Sequence, residues 1–221
     1  MTRVAESPTT LSARLREATA AAHERAETAP FLTELLGGHL SVDAWTHLLE
    51  QYQYIYGALE ETAGWLPDNT AVSQLLFVEL NRAPAITADL ARLREHSIRP
   101  PLGMLASTRA YVERIQACEF DPVRYLAHHY VRYLGDLSGG QAMRVWLARH
   151  YRLADAETTF FDFAEIGKPV QFKRRYRELL DSLPLDDVEQ QRLCAEAAAS
   201  FEANEAIFEE LSEIELPAAA A

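Results

Sequence analysis

The sequence predicts an all-α protein, a single compact domain of about eight helices. Three observations carry that expectation. Apolar residues recur at three- and four-residue spacing through most of the chain, the period of a helix with one buried face. Proline, glycine and capping residues interrupt the pattern at intervals suited to helices. No stretch alternates polar and apolar residues between turn signals, so no sheet is expected.

Residues 1–9 are expected to form a disordered N-terminus. Residues 10–29 form a first helix with Leu11, Leu15, Ala18 and Ala22 as its core stripe, and Pro30 stands just past its end. A short helix follows, up to the stop at Gly37–Gly38. Ser41 caps a third helix carrying Trp45, Leu48, Leu49, Tyr52, Ile55, Tyr56 and Leu59, which ends near Gly64 and Pro67. Three more helices are expected over 69–81, 84–96 and 103–118. Asp121 before Pro122 opens a long helix to about 149, a side-chain acceptor at the cap followed by a residue with no amide hydrogen. Pro169 opens another, to about Leu183. Asp186 with Glu189 makes a capping-box start for the last, to about Ser212, within a helical domain of 10–214. Residues 215–221 are expected to fray.

At 221 residues the chain suffices for one well-buried domain. Its net charge of −12, from 21 basic and 33 acidic residues, argues against nucleic acid as a partner. Cys118 and Cys194 lie far apart with no CxxC, so neither a disulfide framework nor a zinc site is indicated, and a reducing compartment fits. There is no apolar run of about 18 residues and no signal-peptide pattern. The expectation is a cytoplasmic protein with no membrane partner, monomeric by default.

The most unusual stretch is YVRYLGDLSGGQ, from Tyr130 to Gln141, inside the long helix. Gly135, Gly139 and Gly140 each cost roughly 1 kcal/mol against alanine in a helix interior, so something must offset them. Val131, Gly135, Ser138, Gly139 and Ala142 share one face at 3.6 residues per turn, leaving a nearly bare strip of backbone. Such a strip serves either close helix packing or a kink, or the approach of a flat ligand. Arg132 and Asp136, an i, i+4 pair bordering the strip, favour the ligand.

Two further constellations accompany it. Among seven histidines, His23 is flanked by Ala20, Ala21, Ala22 and Ala26, which leave clearance for something broad. Glu27, four residues on, is placed to accept from the imidazole's second nitrogen, as metal-bound histidines require, and Arg16 is placed to meet an anion. The plainer reading is a solvated helix face with an i, i+4 pair. His128, two turns before Gly135, stays open as a candidate. FKRRYR sets Lys173 and Arg177 one turn apart with Arg174 and Arg175 between them, either a solvated face or a carboxylate clamp.

Together these segments resemble the heme oxygenase family. LREATAAAHERAE is similar to its proximal-histidine segment and YVRYLGDLSGGQ to its distal-helix signature. FKRRYR and FEANEAIFEEL resemble two further family segments, and the likeness spans most of 11–212. The resemblance implies that heme b, as cofactor and substrate, lies between an N-terminal proximal helix and a kinked distal helix. It implies His23 as the iron ligand and Glu27 as its hydrogen-bond partner, with Gly135, Gly139 and Gly140 giving the distal helix its close approach. Asp136 would hold a distal water network with Tyr56, Arg132 and Asn204. Arg16, Tyr130, Lys173 and Arg177 would anchor the propionates, and Ser138 would line the heme site. The implied reaction uses O2 and an electron donor, a reductase or ferredoxin, to cut a meso carbon through a ferric hydroperoxide. Its products would be biliverdin, carbon monoxide and iron.

The departures are Val131 where many relatives carry threonine, Arg16 in place of a common lysine, and HSIRPPLGM over 96–104 in place of an aromatic-rich stretch. The membrane tail of the animal enzymes is also missing, so the bacterial soluble branch is the better comparison. Two alternatives share the residues: a heme carrier or sensor, and a thiaminase-like or di-iron enzyme on the same architecture. The second is disfavoured because no Glu-x-x-His spacing occurs and the serine of GDLSG is one place off G-x-S-x-G.

Overall fold

The computed structural model describes residues 10–66 and 70–216. The expectations for 1–9 and 217–221 lie outside the described residues. Nine α-helices and no strand occur among the described residues: α1 (Leu11–Glu27), α2 (Pro30–Leu36), α3 (Val42–Ala63), α4 (Ala83–His96), α5 (Ala106–Gln116), α6 (Pro122–Gly135), α7 (Gln141–Tyr151), α8 (Pro169–Asp181) and α9 (Asp187–Glu215). A π-turn over Asp136–Gly140 divides the expected long glycine-bearing helix into α6 and α7, which offsets the absence of an α-helix over 69–81.

The caps act largely as their chemistry requires. Asp121 accepts from the Arg124 amide at 3.2 Å, and Asp186 and Glu189 cap each other at 2.9 and 3.0 Å. Ser41 is the N-cap residue of α3, but its side chain makes no capping hydrogen bond. On α1 the buried stripe is Leu11, Leu15, Thr19, Ala22 and Ala26, while Ala18 is exposed. Thr19 can take the inward position because its hydroxyl donates to the Leu15 carbonyl at 2.8 Å.

Where a helix was expected over 69–81, the structure has two 3-10 turns, Ala71–Leu75 and Val78–Leu80. The break lets the Phe77 ring meet Phe172 of α8 edge-on at 5.0 Å, so packing of an aromatic pair overrides local helical pattern. Residues 152–168, which carry no clear periodicity, form three more short turns burying Phe160, Phe161 and Phe163. Asp89 secures them by accepting from the Thr159 and Phe160 amides at 3.0 and 2.7 Å.

Helix α9 is the spine, packing against α1, α2, α3, α5 and α6. It continues past Ser212, and Glu215, expected in the frayed tail, is instead buried and paired with His47 and Arg99. One face of α3 holds the otherwise irregular segment 97–105. Asp43 accepts from the Ile98 amide at 3.1 Å and Glu50 from Leu102 at 3.1 Å, while Gln51 donates to the Gly103 carbonyl at 2.9 Å.

His47 belongs to the same face. Its Nδ1 lies 2.6 Å from Glu215 and its Nε2 3.1 Å from the Pro100 carbonyl. Both partners are acceptors, so the ring is a buried imidazolium. Burial alone would lower its pKa, but the Glu215 carboxylate and the Pro100 carbonyl outweigh burial and raise it. A raised folded pKa stabilises the fold fully below the unfolded value and less as pH climbs through the folded one. We therefore expect thermal stability to decline as pH rises above about 6.5, in part through this group. His47→Ala should cost about 2 kcal/mol by leaving the Glu215 side chain with Arg99 as its one remaining cation and should flatten that decline; an unchanged pH slope in thermal melts would contradict it.

Candidate functional site

Helix α1 and the α6–α7 unit face each other across an open crevice with two connected lobes of about 410 and 520 Å³, which share His23, Gly135 and Ser138. The expected bare strip forms one wall: Val131, Gly135 and Ser138 line the first lobe, and Gly135, Ser138, Gly139 and Ala142 the second. A Cβ built at Gly135 or Gly139 meets nothing within 4 Å. The π-turn begins immediately after Gly135 and widens the helix at this wall, a distortion common at functional sites.

Gly140 has a different part from the one expected. A Cβ there would lie 2.8 Å from Phe161, so this glycine faces away from the crevice and lets the 159–161 turn pack onto the helix backbone.

On the opposite wall, His23 is half-exposed to the crevice, with the Phe201 ring of α9 against it at 5.4 Å. Its Nδ1 lies 3.3 Å from Glu27, as the spacing predicts, which leaves Nε2 as the nitrogen available to a metal. The structure excludes His128 from this role. It is fully buried between α5 and α9 and donates through Nε2 to Glu196 at 3.0 Å. Burial would raise the Glu196 pKa, but His128, Arg124 and Arg114 together hold it far below the usual carboxylate range.

The first lobe has a cationic end. Arg16, Tyr130 and Arg177 line it, and Lys173 reaches across from α8 to donate to Ser138 at 3.2 Å. Burial lowers the Lys173 pKa, and the neighbouring Arg177 lowers it further. The second lobe ends in apolar side chains, Leu32, Leu36, Met143 and Trp146. None of these four was singled out from sequence, although Met143 and Trp146 continue the strip at helical spacing.

Arg132 and Asp136 do not border the crevice as expected; they stand behind its glycine wall. Arg132 donates to Tyr56 at 3.2 Å and to Asn204 at 2.7 Å, and its guanidinium lies 4.3 Å from the Tyr52 ring and 4.9 Å from the Tyr56 ring. Tyr56 in turn donates to the Asp136 carboxylate. Burial lifts the Asp136 pKa to about 6, against the opposing pull of Arg132 and Tyr56. A carboxyl poised this close to neutrality can give or take a proton with little driving force either way. Tyr52, one turn before Tyr56 on α3, is the member of this cluster that sequence reasoning missed.

The glycines separate by experiment. Gly140→Ala is expected to destabilise the protein by about 1–3 kcal/mol through its clash with Phe161. Gly139→Ala should leave stability unchanged or higher by up to about 1 kcal/mol, because its methyl enters open space. Chemical denaturation of both variants checks the contrast.

Comparison with known proteins agrees with this geometry. The model of the family described as heme oxygenase matches residues 9–210. The chain is 34% identical over 202 residues to heme oxygenase 1 of Synechocystis sp., covering 91% of this chain and 84% of that protein. The crystal structure of heme oxygenase-1 from that cyanobacterium in complex with heme superposes with a TM-score of 0.86 at 32% identity, over 93% of both chains. Heme oxygenase from Leptospira interrogans gives a TM-score of 0.82 at 34% identity, over 91% of this chain and 99% of that one. A family match over nearly the whole chain, with the crevice and its histidine lying inside the matched span, makes this protein a member of the heme oxygenase family.

Proposed function

We propose that this heme oxygenase binds heme b as cofactor and substrate and, with O2 and an electron donor, opens it at a meso carbon to biliverdin, carbon monoxide and iron. The observation that carries the reading is a helix wall nearly bare of side chains opposite a histidine held by a carboxylate, with a carboxyl of near-neutral pKa behind it. The crevice suits a flat amphipathic dicarboxylate. Open space stands where Gly135 and Gly139 lack a Cβ, cations gather at one end, and apolar residues close the other.

When bound, heme supplies the redox-active iron and the ring that is cut. His23 Nε2 is the proposed iron ligand, and Glu27 fixes the ring orientation by accepting from Nδ1. Arg16, Tyr130, Lys173 and Arg177 hold the two propionates, so they set the rotation of the ring and with it the edge that is opened. Gly135 and Gly139 keep side chains away from the reacting face. Asp136, working through water, holds and passes the proton the distal side needs. Tyr56 orients its carboxyl, and Arg132, fixed by Asn204, orients Tyr56. The electron donor is a reductase or ferredoxin, and the working form is a monomer in the cytoplasm, in keeping with the two unpaired cysteines.

The test is a titration with hemin, followed by a reductant in air with an iron chelator present. A one-to-one complex should form, its Soret band then collapsing as a biliverdin band grows; a complex that survives reduction intact would favour a heme carrier. Asp136→Asn should bind hemin normally yet lose ring opening by at least about a hundredfold. The same substitution should alter stability in a defined direction. With its folded pKa at about 6 against an ordinary 3.8, Asp136 stabilises the fold most at low pH and loses that contribution as pH rises through 6. The melting temperature of Asp136→Asn relative to wild type should therefore increase from pH 4 to about pH 7. A gap that narrows instead would contradict the assigned burial.

A further inference from the structure

A second cavity lies on the side of α6 away from the crevice. It measures about 300 Å³ and stands between α6, the end of α3 and the 3-10 turns before α4, sharing no lining residue with the crevice. Its walls are mostly apolar and aromatic: Ala63, Leu76, Phe77, Val78, Tyr125 and Tyr133. Packing fixes the rings in advance of any ligand. Phe77 meets Phe172 edge-on, Tyr133 meets Tyr56 edge-on at 5.7 Å, and the Tyr125 hydroxyl donates to the Leu59 carbonyl at 2.7 Å.

Two polar side chains stand among these rings. His129 lines the cavity while only 3% exposed; its Nδ1 lies 2.9 Å from the Tyr176 hydroxyl, and its Nε2 makes no hydrogen bond to any described residue. Burial pushes its pKa down to about 3, so the ring stays neutral near pH 7. An imidazole nitrogen left unmatched in such surroundings is unfavourable unless something in the cavity meets it. Glu60 receives the Arg82 and Ala83 amides on Oε1, at 2.5 and 2.9 Å, so Oε2 has acceptor capacity left.

Charge selects the ligand class. An anion would face Glu60 with no cationic side chain on the cavity wall. The Arg82 guanidinium is engaged by the Leu80, Glu79 and Asp162 carbonyls. An organic cation would gain from Glu60 but would meet Arg175, already 5.4 Å from the centre of the Phe77 ring. A metal ion would find two ligands, Glu60 and His129, too few for a site of its own. We propose that this cavity is a second ligand site, for a small uncharged phenol whose ring lies among Phe77, Tyr125 and Tyr133 and whose hydroxyl pairs with His129 Nε2 and Glu60. A hydroxyl both gives and takes a hydrogen bond, so it suits either tautomer of a neutral imidazole as well as a carboxylate. The aromatic walls supply the remaining contact, and the volume is that of a site for one or two rings.

The experiment titrates phenol, its isostere toluene, and benzoate into the protein and follows backbone amide chemical shifts. Phenol should bind with a Kd of about 0.1–1 mM, and toluene and benzoate at least about tenfold more weakly. The amides that move should lie in 60–64, 76–81 and 125–133. His129→Phe should weaken phenol at least about tenfold but toluene by no more than about threefold, a contrast that a merely structural histidine would not produce. Ala63→Leu, which fills the cavity from the end of α3, should abolish binding of both and guards against a folding defect in the first variant. Equal wild-type affinity for phenol and toluene would overturn the proposal, as would tighter binding of benzoate, shifts confined to the crevice, or no shift with phenol at all. None of these results bears on heme, so the function proposed above stands or falls separately.

Discussion

A guanidinium buried in the middle of the bundle organises this protein. Arg132 lies between the rings of Tyr52 and Tyr56 and donates to Tyr56 and Asn204, joining α3, α6 and α9 at one point. Placing a cation there is unfavourable unless its donors and its charge are met. Two aromatic faces, an amide oxygen and the nearby Asp136 meet them. The same set of contacts determines the state of Asp136, whose carboxyl would be more strongly neutralised by burial without the opposing charge. The scaffold and the titration of Asp136 are therefore one construction. Loosening Arg132 would disturb the alignment of three helices and the titration of the acid together.

Behind the crevice, support comes from segments with no regular structure. The 152–168 stretch packs Phe161 against Gly140, and Arg82 reaches over Phe163 at 4.1 Å. The glycine trio thus divides its work between two faces. Gly135 and Gly139 leave one side of the helix open to the crevice, while Gly140 brings an aromatic buttress close on the other. The π-turn stands between these demands and widens the helix where both apply.

The sequence disclosed most of this where periodicity and caps are strong. Helices α1 to α5, α8 and α9 lie close to their expected positions, and the strip from Val131 to Ala142 lines the crevice as its spacing implies. The contact between His23 and Glu27 was legible because a pair one helical turn apart needs no tertiary information. What failed needed contacts distant in sequence. Helical spacing could not say that Gly140 faces Phe161, that Arg132 and Asp136 lie behind the wall, or that His128 pairs with Glu196. The 3-10 turns near Phe77 and the anchored Glu215 depend likewise on aromatic and charged partners from other helices.

The open strip has a consequence for the protein's life between turnovers. Gly135, Ser138, Gly139 and Ala142 are exposed only because the crevice is open, and a tetrapyrrole lying on them would complete the core that the chain leaves unfinished. A ligand bound by the native state alone stabilises it in proportion to the logarithm of its saturation. Here that ligand is also the compound destroyed. Each catalytic cycle would remove the enzyme's own stabiliser, so resistance to heat and proteases should follow heme supply, highest when substrate is plentiful and lowest once it has been consumed.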